Sequence, residues 1–74
     1  MNQIEDMQTF VRIVDAGSIT KAAEQMNTVK SAVSRRLSDL ERRLGVSLLT
    51  RTTRSQSLTE SGKSYYQQSI RIID

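Results

Sequence analysis

The side chains that could do chemistry lie between Lys30 and Leu44, and that chemistry is hydrogen bonding to a polyanion. At about 100° per residue, Val33, Leu37, Leu40 and Leu44 fall on one stripe, with spacings of four, three and four. Those spacings fit a helix and not a strand. Ser31, Ser34, Arg35, Ser38 and Arg42 face roughly the other way. Short hydroxyls let a helix approach a surface closely. Arginine supplies a planar fork of donors that matches phosphate oxygens or the acceptor edge of guanine. A DNA recognition helix needs both. Two readings stay open from this helix alone. Its outer face either meets DNA or is a solvated surface held by Arg35–Asp39 and Asp39–Arg43 pairs at i,i+4.

Charge distribution favours the first. From Lys30 to Arg54 there are seven basic residues (Lys30, Arg35, Arg36, Arg42, Arg43, Arg51, Arg54) and two acidic ones (Asp39, Glu41), a net of +5. The rest of the chain is net −2, which leaves +3 in all. A positive segment in an otherwise acidic domain of 74 residues points to a directed polyanion surface.

The neighbouring elements must position that helix. Asn2 and Glu5 have the spacing of a capping box before a first helix, with Ile4, Met7, Phe10, Val11 and Val14 on one face. Phe10 is the one phenylalanine and reads as core. Gly17 suits the left-handed position beyond the last turn. Ser18 is the expected cap of a second helix with Ile19, Ala22, Ala23 and Met26 as its apolar stripe. Its paired alanines allow the tight crossing of a helix-turn-helix. Thr20 and Lys21 lie in its first turn, where they either touch a DNA phosphate or face solvent. Asn27-Thr28-Val29 is the turn into the basic helix, and Gly45 its stop, with Val46 packing back on the helix end.

Segments 47–52 and 56–59 are short and rich in Thr and Leu, which suits two small strands with Thr53-Arg54-Ser55 as the loop between them. An arginine at such a tip suits a narrow minor groove. As an isolated loop residue it would be merely exposed. Thr59 then caps a last helix, with Glu60 favourable in its first turn. On that helix Tyr66, Ile70 and Ile73 form one apolar stripe, and Tyr65 and Ile72 an adjoining one. One stripe suffices to dock the helix on its own domain. The other would leave an apolar contact surface, most simply for the same helix of a second chain.

Other classes find less support. The chain has no Cys and no His, which removes disulfides, thiolate and imidazole metal sites, and most nucleophile–base pairs. No paired carboxylates and no glycine-rich phosphate loop appear, and Lys63 and Tyr65 have no third partner to complete a catalytic set. No enzyme, metal or cofactor is therefore expected. Apolar runs do not exceed two residues, so no membrane span is expected, and no secretory leader is recognised at the amino terminus. A cytoplasmic protein is expected. The protein-interaction module, built on the last helix with the basic face incidental, remains the alternative from another class.

Several segments together resemble the amino-terminal domain of LysR-type transcriptional regulators. They are Phe10-Val11, Gly17-Ser18-Ile19-Thr20-Lys21-Ala22-Ala23, Ser31-Ala32-Val33-Ser34-Arg35, Leu40-Glu41, Leu44-Gly45-Val46, residues 48–54 and Leu58-Thr59-Glu60-Ser61-Gly62. The resemblance covers essentially the whole chain. It implies a mainly α fold, a winged helix-turn-helix over residues 1–59 with a two-stranded β wing. Residues 60–74 would begin a linker helix that dimerises through Tyr65, Tyr66, Ile70 and Ile73. Another winged-helix regulator family would share that fold. The resemblance also implies bacterial transcription control through double-stranded DNA, with any small-molecule effector sensed by a periplasmic-binding-protein-like domain that this chain lacks. By position, Lys30, Ser31, Ser34 and Arg35 would read bases in the major groove and Arg54 would sit at the wing. Thr20, Ser38 and Arg51 would contact or support the DNA backbone. Three residues depart from the family pattern. Val29 replaces the usual Ser or Thr cap, so either Thr28, one residue earlier, takes over the cap or the helix starts differently. Lys30 replaces glutamine, which shifts base preference from adenine toward guanine. Leu49 replaces phenylalanine, a change in packing.

Overall fold

The computed structural model describes residues 3–51 and 56–73. In chain order these form α1 (Gln3–Ala16), α2 (Ile19–Gln25), α3 (Lys30–Leu44), β1 (Leu49–Arg51), β2 (Gln56–Leu58) and α4 (Glu60–Ile73). The fold is a winged helix-turn-helix followed by a helix that packs on α1. Asn2, and with it the expected capping box, lies outside the described residues, as does the 53–55 loop.

The core brings together Phe10 and Ile13 of α1, Ala22 and Ala23 of α2, Val33, Leu37 and Leu40 of α3, and Leu48 and Leu49 before and within β1. The face that α1 buries differs from the expected one. Its buried positions are Asp6, Thr9, Phe10 and Ile13, one residue out of step with the Met7-Phe10-Val11-Val14 stripe, and Ile4 is exposed. α1 contacts α2, α3 and α4, so its buried face is set by three neighbours. Asp6 is accommodated there because it finds a cationic partner.

Helix ends follow local chemistry closely. Gly17 and Gly45 take φ of 87° and 75°, as expected of the residues that close α1 and α3. Ser18 Oγ accepts from the Lys21 amide at 3.0 Å, the expected cap of α2. α2 closes on Asn27, a non-glycine residue with φ of 58°. The Thr28 amide donates to the Ala23 carbonyl at 2.9 Å and the Asn27 amide to that of Glu24 at 3.1 Å. This paired closure makes the turn of the helix-turn-helix. α3 starts from Val29, whose extended backbone places it at the cap with no side-chain hydrogen bond. Thr28 does not replace it. At the other end the Gly45 and Val46 amides both donate to the Glu41 carbonyl. Val46 nevertheless stays exposed rather than packing back, and Leu44 is 36% exposed, so the buried stripe of α3 ends at Leu40.

β1 and β2 pair antiparallel, with Leu49 opposite Leu58, Thr50 opposite Ser57 and Arg51 opposite Gln56. Thr59 welds this ribbon to α4. Its amide donates to the Leu48 carbonyl at 3.0 Å and its hydroxyl to that of Ser47 at 2.6 Å, while Thr59 Oγ1 accepts from the Gly62 amide at 2.9 Å. Gly62 is buried against the same strand entry. A Cβ there would lie 2.0 Å from the Leu48 carbonyl oxygen, so the close approach of α4 requires glycine.

Candidate nucleic-acid interface

Two contacts that sequence reasoning missed hold α3 from behind, and a third fastens α4 to α1. Arg43 Nη2 donates to Asp6 Oδ2 of α1 at 2.8 Å. Glu41 Oε2 accepts from the amides of Leu48 and Leu49 at 2.7 and 3.3 Å. Tyr65 of α4 packs edge-on against Phe10, with ring centroids 5.4 Å apart. Burial pushes the Tyr65 phenol above its usual range, with the nearby Arg43 charge opposing. Arg43 and Glu41, charges that a sequence reader counts on a solvated face, thus fasten α3 to the rest of the domain. No local spacing signals this, because Asp6 is 37 positions away.

With its back fixed, α3 exposes Lys30, Ser31 and Arg35 together at its amino-terminal end, while Ser34 and Ser38 are half-buried. Neither expected i,i+4 pair forms. Asp39 bonds to Arg42 at 3.4 Å, and Arg43 turns to Asp6. Among the described residues Arg35 has no ion-pair partner. Ser31, Arg35, Arg36 and Asp39 line one open groove with Asp6 and Arg43. Arg36, exposed beside Arg35, extends the cationic surface beyond the residues expected from sequence.

Thr20 and Lys21 are exposed in the first turn of α2. The Lys21 amide is already spent on Ser18 Oγ, so its ammonium is the group left to meet an anion. Arg51 ends β1, but its side chain and all of Arg54 lie outside the described residues.

On α4 the line facing the domain runs through Gly62, Tyr65 and Ser69, and Gly62 and Ser69 are buried small residues. Tyr65 and Tyr66 both pack against the domain's own core, and the Tyr66 hydroxyl donates to Asp15 at 2.7 Å. Ile70 and Ile73 are half-buried, and Ile72 is 55% exposed.

Residues 4–63 match the model of the family described as bacterial regulatory helix-turn-helix protein, lysR family. The chain belongs to the LysR family. It is 52% identical over 68 residues to an HTH-type transcriptional repressor of Pseudomonas aeruginosa (strain UCBPP-PA14), an alignment covering 92% of this chain and 22% of that protein. It is 49% identical over 69 residues to the HTH-type transcriptional regulator CrgA of Neisseria meningitidis serogroup C (strain 8013), covering 93% of this chain and 23% of CrgA. The chain thus spans under a quarter of the length of these relatives, one named a transcriptional repressor and the other a transcriptional regulator. The fold is similar to that in the crystal structure of the BenM DBD/benA site 1 DNA complex. The TM-score is 0.92 at 32% identity, covering 97% of this chain and 81% of that one. Among the described residues, no helix is long and apolar enough to cross a membrane.

Proposed function

We propose that this LysR-family domain binds double-stranded DNA sequence-specifically and controls bacterial transcription from the cytoplasm. The observation that carries the reading is the exposed start of α3, where Lys30, Ser31 and Arg35 stand together on a helix whose Glu41 and Arg43 are engaged with the rest of the domain. That BenM's DBD is seen on DNA with a closely similar fold supports it. Lys30, Ser31, Ser34 and Arg35 read bases in the major groove. Thr20, Lys21, Ser38 and Arg51 hold phosphates, and Arg54 enters the minor groove from the wing.

Two copies pair through the helix over 60–74, each offering the same patch to the other, with Ile70 and Ile73 at the seam. Tyr65 and Tyr66 support the seam from their positions against the core. Pairing sets two copies of α3 at half-sites roughly 34 Å apart or a multiple of it. An effector acts through a domain outside this chain.

Selection of preferred duplexes from a random pool, followed by titration against salt, tests the reading. A preferred palindromic sequence is expected, with log affinity falling linearly in log salt by about 0.9 per phosphate neutralised. Affinity without sequence preference or salt dependence would overturn it. Sedimentation with and without the palindrome tests pairing, and cooperative filling of two half-sites is expected.

A further inference from the structure

Granted the DNA-binding reading above, we propose that Val29 is a base-reading residue that recognises the C5-methyl group of a thymine in the major groove. Among the described residues, Val29 is the most exposed of the large apolar side chains, at 64%. It sits at the cap of α3, directly before Lys30 and Ser31. The amino-terminal residues of a recognition helix are those that reach base edges. Thymine presents an apolar methyl there that no other DNA base has, and apolar side chains contact it. Valine offers two methyl groups on a stiff, branched stem, so little rotamer freedom is lost in such a contact.

The local chemistry argues that Val29 is not there for the fold. A cap position favours Ser, Thr, Asp or Asn, whose oxygen would accept from the open amides of the first turn. Val29 makes no such bond, and Thr28 does not supply it. Nor does the side chain reach the core, which takes Val33, Leu37 and Leu40 from this helix. The residue thus gives up a cap and gains no burial within the domain. A position that breaks a local rule with no structural return is where function is expected. Lys30 beside it suits guanine, so the pair would read a thymine next to a base with a major-groove acceptor edge.

The test removes the methyl group from the DNA and the methyls from the protein, separately and together. Each thymine of the preferred duplex is replaced singly by uracil, which keeps every hydrogen-bonding group and loses only the methyl. Binding of wild type, Val29→Ala and Val29→Thr is then measured, with circular dichroism to establish that each is folded. At one thymine, the uracil duplex is expected to bind wild type about threefold to tenfold more weakly, the scale of one buried methyl. The same change should leave Val29→Ala nearly indifferent, and Val29→Thr, which keeps one methyl, in between. If no uracil substitution weakens wild type, the proposal fails whatever the variants do. If the sensitive thymine stays equally sensitive in Val29→Ala, another residue reads it and the proposal also fails. Absence of any preferred duplex would instead overturn the DNA-binding reading itself, and this proposal with it.

Discussion

Arg43 of α3 and Asp6 of α1 form an ion pair across 2.8 Å in which the carboxylate is almost wholly buried and the guanidinium side chain is 42% exposed. Its second carboxylate oxygen, Oδ1, is buried without a hydrogen-bond partner. Arg43 is therefore what makes a charge at position 6 tolerable. Arg43→Ala is expected to cost about 1–3 kcal/mol of stability, since it strands a buried acceptor while the open side lets water in. Because the guanidinium is occupied, the salt dependence of DNA binding should hardly change. A slope reduced by about one, the loss expected of a phosphate contact, would assign Arg43 to DNA instead.

Arg35 has the opposite character. It is exposed and forms no ion pair among the described residues. Arg35→Ala should leave the denaturation midpoint unchanged within about 0.5 kcal/mol. It should weaken specific binding by about 1–3 kcal/mol and relax preference at one base pair. Competition among single-base variants of the preferred duplex checks this. Equal loss on every duplex would make Arg35 a phosphate contact.

Gly62 keeps α4 against Leu48. Alanine is ordinarily the better helix residue, so a gain would be expected from propensity alone. Here the added methyl meets the Leu48 carbonyl oxygen at 2.0 Å, and α4 or the strand entry must move. Gly62→Ala should destabilise by about 1–3 kcal/mol, as overpacking does. Urea denaturation decides, and a midpoint equal to or above wild type would mean that α4 shifts without cost.

Val29→Ser should stabilise the free domain while weakening its binding to the preferred duplex. The new hydroxyl caps the open first turn of α3 and is expected to stabilise the free domain by roughly 0.5–2 kcal/mol. Since Val29 is exposed and makes no cap bond, little packing is lost in exchange. An unchanged thermal midpoint would show that those amides are already satisfied.

Two phenols tie stability to alkaline pH. Tyr66 is raised chiefly by donating its hydrogen bond to Asp15, and Tyr65 chiefly by burial. A raised folded value means that the fold holds a proton the unfolded chain releases. Their contribution is therefore complete below the unfolded value near pH 10 and is lost as pH rises through the folded values. Thermal midpoints from pH 8 to 11 should fall more steeply for wild type than for the Tyr65→Phe, Tyr66→Phe double variant. Parallel curves would remove the phenols from the account.

Sequence alone determined the elements and their order, because those signals are local. Gly17, Ser18, Gly45 and Thr59 act within one turn of their own position, and the Val33-Leu37-Leu40 stripe needs only helical periodicity to be recognised. The family was legible for the same reason, since its motif residues keep fixed spacings along the chain. Only the tertiary structure decided which charges are free to meet a ligand. Asp6 and Arg43 meet because α1 and α3 pack together, so the Arg43 charge is taken up by an ion pair and Asp6 enters the buried face. Glu41, on the same exposed-looking stretch, turns to the amides of Leu48 and Leu49. The docking face of α4 was equally hidden. Apolar counting weighs the tyrosines and isoleucines, but Gly62 and Ser69 let the helix come close, and a small residue reads as neutral until a neighbouring backbone is placed against it. Periodicity reports what one helix can offer. Pairing across 37 positions depends on the partner that packing brings to it.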